Sequence, residues 1–243
     1  GSVNDNGDTF VAWNWDMGGS NATNTNGSIT STVRANPTYG QSIVSYTGTG
    51  SAATIGHGLD SAPNMVIVKN RTLGGEPWRV YHSGITTPET KAVNLSDTGA
   101  AFTASTLWND TAPTSSVFSI GSDNSVNQAT TIIAYCFHSV AGYSSFGSYS
   151  GTGSSGNAVT TGFKPAFVLI KRSDTADNWH IIDNVRSPTN PHNDVLRANL
   201  SNAEATDHAD FDIDTTATGF TVDSTNSELN TSGGTYVAWN WLA

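Results

Sequence analysis

Asp210, Asp212 and Asp214 are the closest this sequence comes to a preassembled chemical site. On a strand, residues at every second position share one face. Three carboxylates placed that way are hard oxygen ligands of the kind that bind Ca2+. The corresponding stretch of the chain's other half, Thr106-Leu-Trp-Asn-Asp110, carries no such pattern. A solvated face of an acidic strand is therefore the first reading, and a Ca2+ site the second. Hydrolysis has less support. Glycosidic cleavage takes two carboxyl groups facing each other across the bond, whereas Glu76, Glu89, Glu204 and Glu228 fall singly in expected loops. His57, His82, His138, His180, His192 and His208 follow no metal-ligand spacing. No Ser stands in a Gly-x-Ser-x-Gly elbow between a strand and a helix, and no catalytic residue is assigned. The lone cysteine, Cys136, has no basic or histidine partner to activate it and reads as a small half-buried strand residue.

Aromatic side chains offer more. Trp78-Arg-Val-Tyr-His82 and Trp179-His-Ile-Ile-Asp183 occupy equivalent places in the two halves of the chain. Indoles stack on sugar faces while neighbouring polar groups bond the hydroxyls. That makes Trp78, Tyr81, Trp179 and Asp183 candidates for contacting a glycan. A Trp at one place in both copies is more simply a core residue, and that reading comes first. Trp108 has no aromatic counterpart and lies in an expected loop, so it is the better ligand candidate.

The elements that must hold these residues come in repeats. Thr9-Phe-Val-Ala-Trp-Asn-Trp15 returns as Thr235-Tyr-Val-Ala-Trp-Asn-Trp241, with a drifted copy at Thr131-Ile-Ile-Ala-Tyr-Cys-Phe137. Ser45-Tyr-Thr-Gly-Thr-Gly50 returns as Ser148-Tyr-Ser-Gly-Thr-Gly153, an offset of 103 (148 − 45). Met65–Lys69 and Phe167–Lys171 stand 102 apart (171 − 69). Self-similarity at a long fixed period marks a modular array. The landmarks place repeat one at 38–141 and repeat two at 142–243, with 1–15 as the last strand of an earlier copy, as in a chain cut from a longer protein. Residues 16–37, rich in Gly, Ser and Asn, read as a flexible linker that becomes extended near Ile29–Val33.

Within each repeat, apolar residues alternate or cluster in short runs bounded by turn residues. Strands are expected near 42–48, 64–70, 78–82, 91–95, 116–121 and 130–138, and near 145–150, 166–172, 179–183, 195–199, 218–223 and 234–241. This predicts an all-β chain of two tandem antiparallel, jelly-roll-like β-sandwiches of about 100 residues each. In Thr235–Trp241, Val237, Trp239 and Trp241 form the expected core face; Tyr236, Ala238 and Asn240 are expected beneath a loop or partly in water. The orphan strand at 8–16 is expected to complete a sheet of this chain, or else to pair with another molecule. Asn199–Asp207 is the one stretch that could form a helical turn.

Composition narrows the partners. Charged residues make up 12% of the chain, against about 25% in average proteins. A net charge of −10 without a Lys/Arg stripe argues against nucleic acid. No apolar run approaches the ~20 residues needed to cross a bilayer.

Several ordered motifs together resemble a known group. They are Gly27-Ser-Ile-Thr-Ser-Thr-Val-Arg-Ala-Asn-Pro37, Gly56-His-Gly-Leu59, Pro63-Asn-Met-Val-Ile-Val-Lys69, Asn199-Leu-Ser-Asn-Ala-Glu-Ala-Thr206 and the closing Tyr-Val-Ala-Trp-Asn-Trp241. Nearly the whole chain resembles repeat modules in large virion proteins of marine bacteriophages, described as tail fibres or tail-associated structural proteins. The resemblance implies an extracellular, virion-borne array and carries no catalytic residues. The resulting expectation is a non-catalytic tail fibre-like module for host-surface attachment through glycan, with other fibre proteins or further copies of itself as partners. A purely structural spacer is the alternative, and a polysaccharide depolymerase the third.

Overall fold

The computed structural model describes residues 5–242. Residues 1–4, part of the stretch assigned to an earlier repeat, and Ala243 lie outside the described residues. Repeat one contains β1 (Ala22–Asn24), β2 (Ser31–Asn36), β3 (Gln41–Thr47), β4 (Ala53–Gly56), β5 (Met65–Asn70), β6 (Arg79–His82), β7 (Lys91–Asn94), β8 (Phe102–Thr103), β9 (Val117–Ile120) and β10 (Thr131–Phe137). Two single-turn helices, α1 (Ser105–Trp108) and α2 (Asn124–Asn127), interrupt it. Repeat two contains β11 (Ser144–Ser150), β12 (Asn157–Thr160), β13 (Phe167–Arg172), β14 (Trp179–Asp183), β15 (Leu196–Arg197), β16 (Ile213–Thr216), β17 (Gly219–Val222), the turn α3 (Ser227–Asn230) and β18 (Thr235–Trp241).

Each repeat is an uneven antiparallel sandwich. In repeat one an eight-stranded sheet, β1-β2-β3-β10-β5-β6-β7-β8, is covered on one face by the β4-β9 pair. In repeat two a five-stranded sheet, β11-β18-β13-β14-β15, is covered by β12-β17-β16. The remaining faces of the two large sheets pack on each other through a third apolar cluster, which joins Met65, Val80 and Val93 to Leu169, Trp179 and Trp239. The molecule thus has three cores in a row.

β18 shows how this arises. Alternation holds as expected, with Val237, Trp239 and Trp241 on one side and Tyr236, Ala238 and Asn240 on the other. The first set faces repeat one, while Tyr236 and Ala238 line repeat two's own core. The second set is therefore not partly in water: all three residues are buried, because the sheet is sandwiched between two layers.

The expected linker is corrected in its flexible part, while its extended part near Ile29–Val33 overlaps β2. Residues 22–36 supply β1 and β2, which extend the first sheet beyond β3, with Val33 opposite Val44. Ile29 and Val33 enter repeat one's core. An edge strand needs only a few paired residues and one buried face, so a short alternating run suffices even beside Gly- and Asn-rich sequence. Asn199–Asp207 contains no helical turn.

The Tyr-Thr/Ser-Gly-Thr-Gly landmark has a structural cause that both repeats share. Tyr46 Oη donates to Val126 O of α2 at 2.7 Å, and Tyr149 Oη to Leu229 O of α3 at 2.8 Å. A Cβ on Gly48 would sit 2.2 Å from Gln128 O, and one on Gly151 2.0 Å from Thr231 O, so only glycine fits. The buried Asn127 amide donates to Ser51 O and Gly121 O and accepts from Thr49 N. Asn230 makes the same bonds to Ser154 O, Ser224 O and Thr152 N. Each asparagine closes a loop onto its helical turn, so that backbone groups cut off from water are paired.

Candidate functional site

The aromatic candidates separate by position. Trp108, on α1, is 2% exposed, donates its indole N–H to Lys91 O at 2.9 Å and meets the edge of Tyr81. Tyr81 is buried in the same core, and that burial pushes its hydroxyl pKa up to about 12. Trp179 is 0% exposed, with its N–H bonded to Asn94 O of repeat one at 2.9 Å. None of these three rings is presented for stacking. Trp108 departs furthest from expectation: its loop position concealed a helical turn that drives the indole inward.

Asp183 is a buried hub. It accepts from the backbone N–H groups of Val185 and Arg186, from Arg186 Nε at 2.7 Å and from Trp13 Nε1 at 3.1 Å. Burial by itself would raise its pKa, but the bonds from Arg186 outweigh it and hold the carboxyl below its ordinary value. All its capacity is directed to ordering its own loop and to the segment before repeat one.

Asp210, Asp212 and Asp214 alternate with buried Phe211, Ile213 and Thr215, but the expected strand is corrected: only Asp214 lies on β16, while Asp210 sits in a turn and Asp212 just ahead of the strand. Among the described residues, no three His, Cys, Asp or Glu side chains gather in a way that could hold a metal ion. Successive same-face residues on a strand stand about 6–7 Å apart, too far for one cation to be shared without the chain folding back. The structure thus gives the Ca2+ reading no three-carboxylate cluster, and the solvated-face reading holds only for Asp210, since Asp212 and Asp214 are half-buried with one carboxylate oxygen each shielded from water.

Trp78 alone of the candidate rings faces open space. It is half-buried and lines an apolar cleft of about 500 Å3 between the two large sheets. Tyr135 stacks beside it at 6.4 Å, Met65 and Ile67 form the floor, and Trp13 and Trp15 form the far wall. The volume falls in the ~300–1,000 Å3 range of ligand pockets, yet the lining has almost none of the convergent polar groups that orient a sugar.

The far wall belongs to the orphan segment. Trp13 meets Phe167 at 5.5 Å, and Trp15 meets Phe167 at 6.1 Å and Trp241 at 5.4 Å. Both indoles are half-buried. No residue from Thr9 to Trp15 belongs to a strand, so the segment neither completes a sheet of this chain nor lies free: side chains hold it and no ladder does. Trp13, Trp15 and Tyr135 were absent from the sequence candidates. The repeated heptapeptide was the signal that could have found them, since a strand sequence without its sheet must leave its indoles on some other surface.

A family model described as a domain of unknown function (DUF7483) matches residues 1–243. No curated protein and no solved structure matches the chain.

Proposed function

We propose, for a chain that belongs to the DUF7483 family along its whole length, a non-catalytic structural role: a repeat module that sets the reach and stiffness of a virion fibre or comparable extracellular appendage. The observation that carries this reading is the commitment of the aromatic candidates. Trp108 and Tyr81 build one core, Trp179 builds the joint between repeats, and Asp183 orders a loop. Repeated units add length while each new interface buries apolar surface. The resemblance to bacteriophage tail-associated repeats supplies the setting, with other fibre or tail proteins as partners.

Host attachment through glycan was the leading expectation from sequence. It loses ground because the cleft beside Trp78, the one candidate ring that faces open space among the described residues, is nearly devoid of polar groups. The test applies the folded chain to glycan arrays, to bacterial host cells and to capsular polysaccharide. The expected result is no saturable binding, no release of reducing ends, and one cooperative unfolding transition for both repeats. Saturable glycan binding that Trp78→Ala abolishes would replace this reading with receptor attachment; release of reducing ends would replace it with depolymerisation.

A further inference from the structure

Two pairs of corresponding positions meet twice in this molecule, through different bonds at the first pair. Trp239 of β18 meets His82 of β6, edge to face, at 4.8 Å, and Trp241 lies 5.8 Å from Phe137. Trp13 bonds Asp183 of β14 at 3.1 Å, and Trp15 lies 5.4 Å from Trp241. These residues correspond one for one. Trp13 and Trp15 hold the places in Thr9–Trp15 that Trp239 and Trp241 hold in Thr235–Trp241. Asp183 closes β14 as His82 closes β6, and Trp241 closes β18 as Phe137 closes β10. The segment 9–15 therefore rests on repeat two as β18 rests on repeat one. Repeat one's own last strand, β10, turns Tyr135 and Phe137 toward the cleft instead.

Trp78 and Trp179 make the same point by their difference. Each lies beside the equivalent ring, Trp179 at 5.0 Å from Trp239 and Trp78 at 6.4 Å from Tyr135. Trp179 is covered by repeat one, whose Asn94 carbonyl accepts its N–H. Trp78 is half-buried, and its N–H has no partner among the described residues. Repeat one lacks the neighbour that repeat two has.

We propose that the cleft seats a third β-sheet of the same repeat type, built around Thr9–Trp15 as its central strand. Three sheets then face one aromatic axis in approximate threefold symmetry, and the cluster between the two large sheets is two-thirds of that axial core. The occupant is a sheet and not a small ligand. It supplies one strand on each side of 9–15, as β11 and β13 flank β18, and so pairs a main chain that no ladder satisfies. Its inner face is apolar, and it offers a backbone carbonyl to Trp78 as Asn94 does to Trp179. The inference deepens the structural-module reading and rests on it.

The experiment joins a second copy of residues 142–234 directly to Thr9 of the full chain, so that 9–15 stands where β18 stands. Phe10 replaces Tyr236 in that strand, a position that Ile132 fills in β10. The readouts are hydrogen exchange at Val11–Trp15, exchange of the Trp78 indole N–H, and fluorescence of the apolar dye anilinonaphthalene sulfonate. The unextended chain is expected to exchange rapidly at 11–15 and to bind dye. The extended chain is expected to slow that exchange about a hundredfold or more, protect the Trp78 indole and lose the dye signal. Protected 11–15 amides with an accessible Trp78 and unchanged dye binding would overturn the proposal, as would an added copy that stays unfolded. A second variant places residues 142–243, with their own last strand, ahead of residue 5. Its sheet has no vacancy, so 11–15 is expected to stay unprotected; equal protection in both variants would also overturn the proposal. Glycan binding by the unextended chain would count against the structural-module reading and leave these exchange results unaffected.

Discussion

Removing the Asn127 side chain tests whether the loop landmarks are held by buried amide bonds. Its Nδ2 donates to Ser51 O and Gly121 O at 2.6 Å each; its Oδ1 accepts from Thr49 N at 2.8 Å and Gly50 N at 3.3 Å. Gly50 N also bonds Asn127 O, and Ser51 O also receives Thr49 Oγ1, so both keep a partner in Asn127→Ala. Thr49 is exposed, so water can reach its loop. Gly121 O is the group left buried and unpaired, beside the void left by the amide. At about 1–3 kcal/mol for an unmade buried bond, plus a packing loss, the expected destabilisation is about 2–4 kcal/mol. Asn127→Asp separates hydrogen bonding from size. Its carboxylate keeps the acceptor role but faces two carbonyls that need donors, so burial and this repulsion raise its folded pKa. A group whose folded pKa is raised costs stability above that pKa and relieves the cost as pH falls through it. The variant should therefore regain stability, relative to the parent, between about pH 7 and 5. Urea unfolding followed by tryptophan fluorescence measures both, and Asn230→Ala should cost at least as much as Asn127→Ala, because its bonds to Ser154 O, Ser224 O and Thr152 N are copies and its Oδ1 also accepts from Asn157 Nδ2 at 2.8 Å. A loss below about 1 kcal/mol, or an Asp variant with no pH response, would refute the network as the cause.

Trp179→Ala should cost about 3–5 kcal/mol and split the unfolding transition in two, while Trp78→Ala should cost under about 1.5 kcal/mol, since only the former ring is enclosed; calorimetry distinguishes them. His82 is fully buried at the joint between repeats, and burial lowers its pKa to about 3. The folded state holds it neutral, so its stabilising contribution is complete above its unfolded pKa near 6.5 and is lost as pH falls from there toward 3. Comparing urea midpoints at pH 7 and pH 4 should show a smaller acid loss in His82→Asn than in the parent. Burial likewise lowers the Lys171 pKa to about 8, although its ammonium donates to Thr98 O and Arg172 O. The charged form is disfavoured on folding, so stability should rise between pH 8 and about 10.5 as the folded chain gives up that proton first. Lys171→Met should abolish that rise in thermal midpoints taken across the range.

How legible the fold was depended on run length and apolar content. β3, β5, β10, β11, β13 and β18 were readable because each carries six or seven residues of clear alternation or apolar clustering. β4, β8 and β12 were missed, and β16 was read only as a strand at Asp210–Asp214, which it overlaps by two residues. Short strands such as Arg79–His82 and Val117–Ile120 were readable from their apolar or aromatic residues, whereas Ala53–Gly56 and Phe102–Thr103 lack such a run and take their places from the strands they pair with. β1 was hidden by Gly- and Asn-rich neighbours, and β2 was readable only as an extended tendency near Ile29–Val33. Trp108 was misplaced because propensity does not reveal a four-residue helical turn that carries Leu107 and Trp108 into the core, the indole against Tyr81.

The heptapeptide draws the boundary most clearly. Its sequence alone determined that two repeats and a stray strand share one ancestry of pattern, and which residues of that strand share a face, because pleating is a local property of the backbone. What covers each face was decided only in three dimensions. Almost the same seven residues form a central strand at 235–241 and a ladderless strap at 9–15. A strand's hydrogen bonds come from its neighbours, and β11 and β13 flank one copy and not the other. The full burial of Trp179 and the half-burial of Trp78 follow from the same cause: repeat one's sheet covers the former ring, and an open cleft borders the latter.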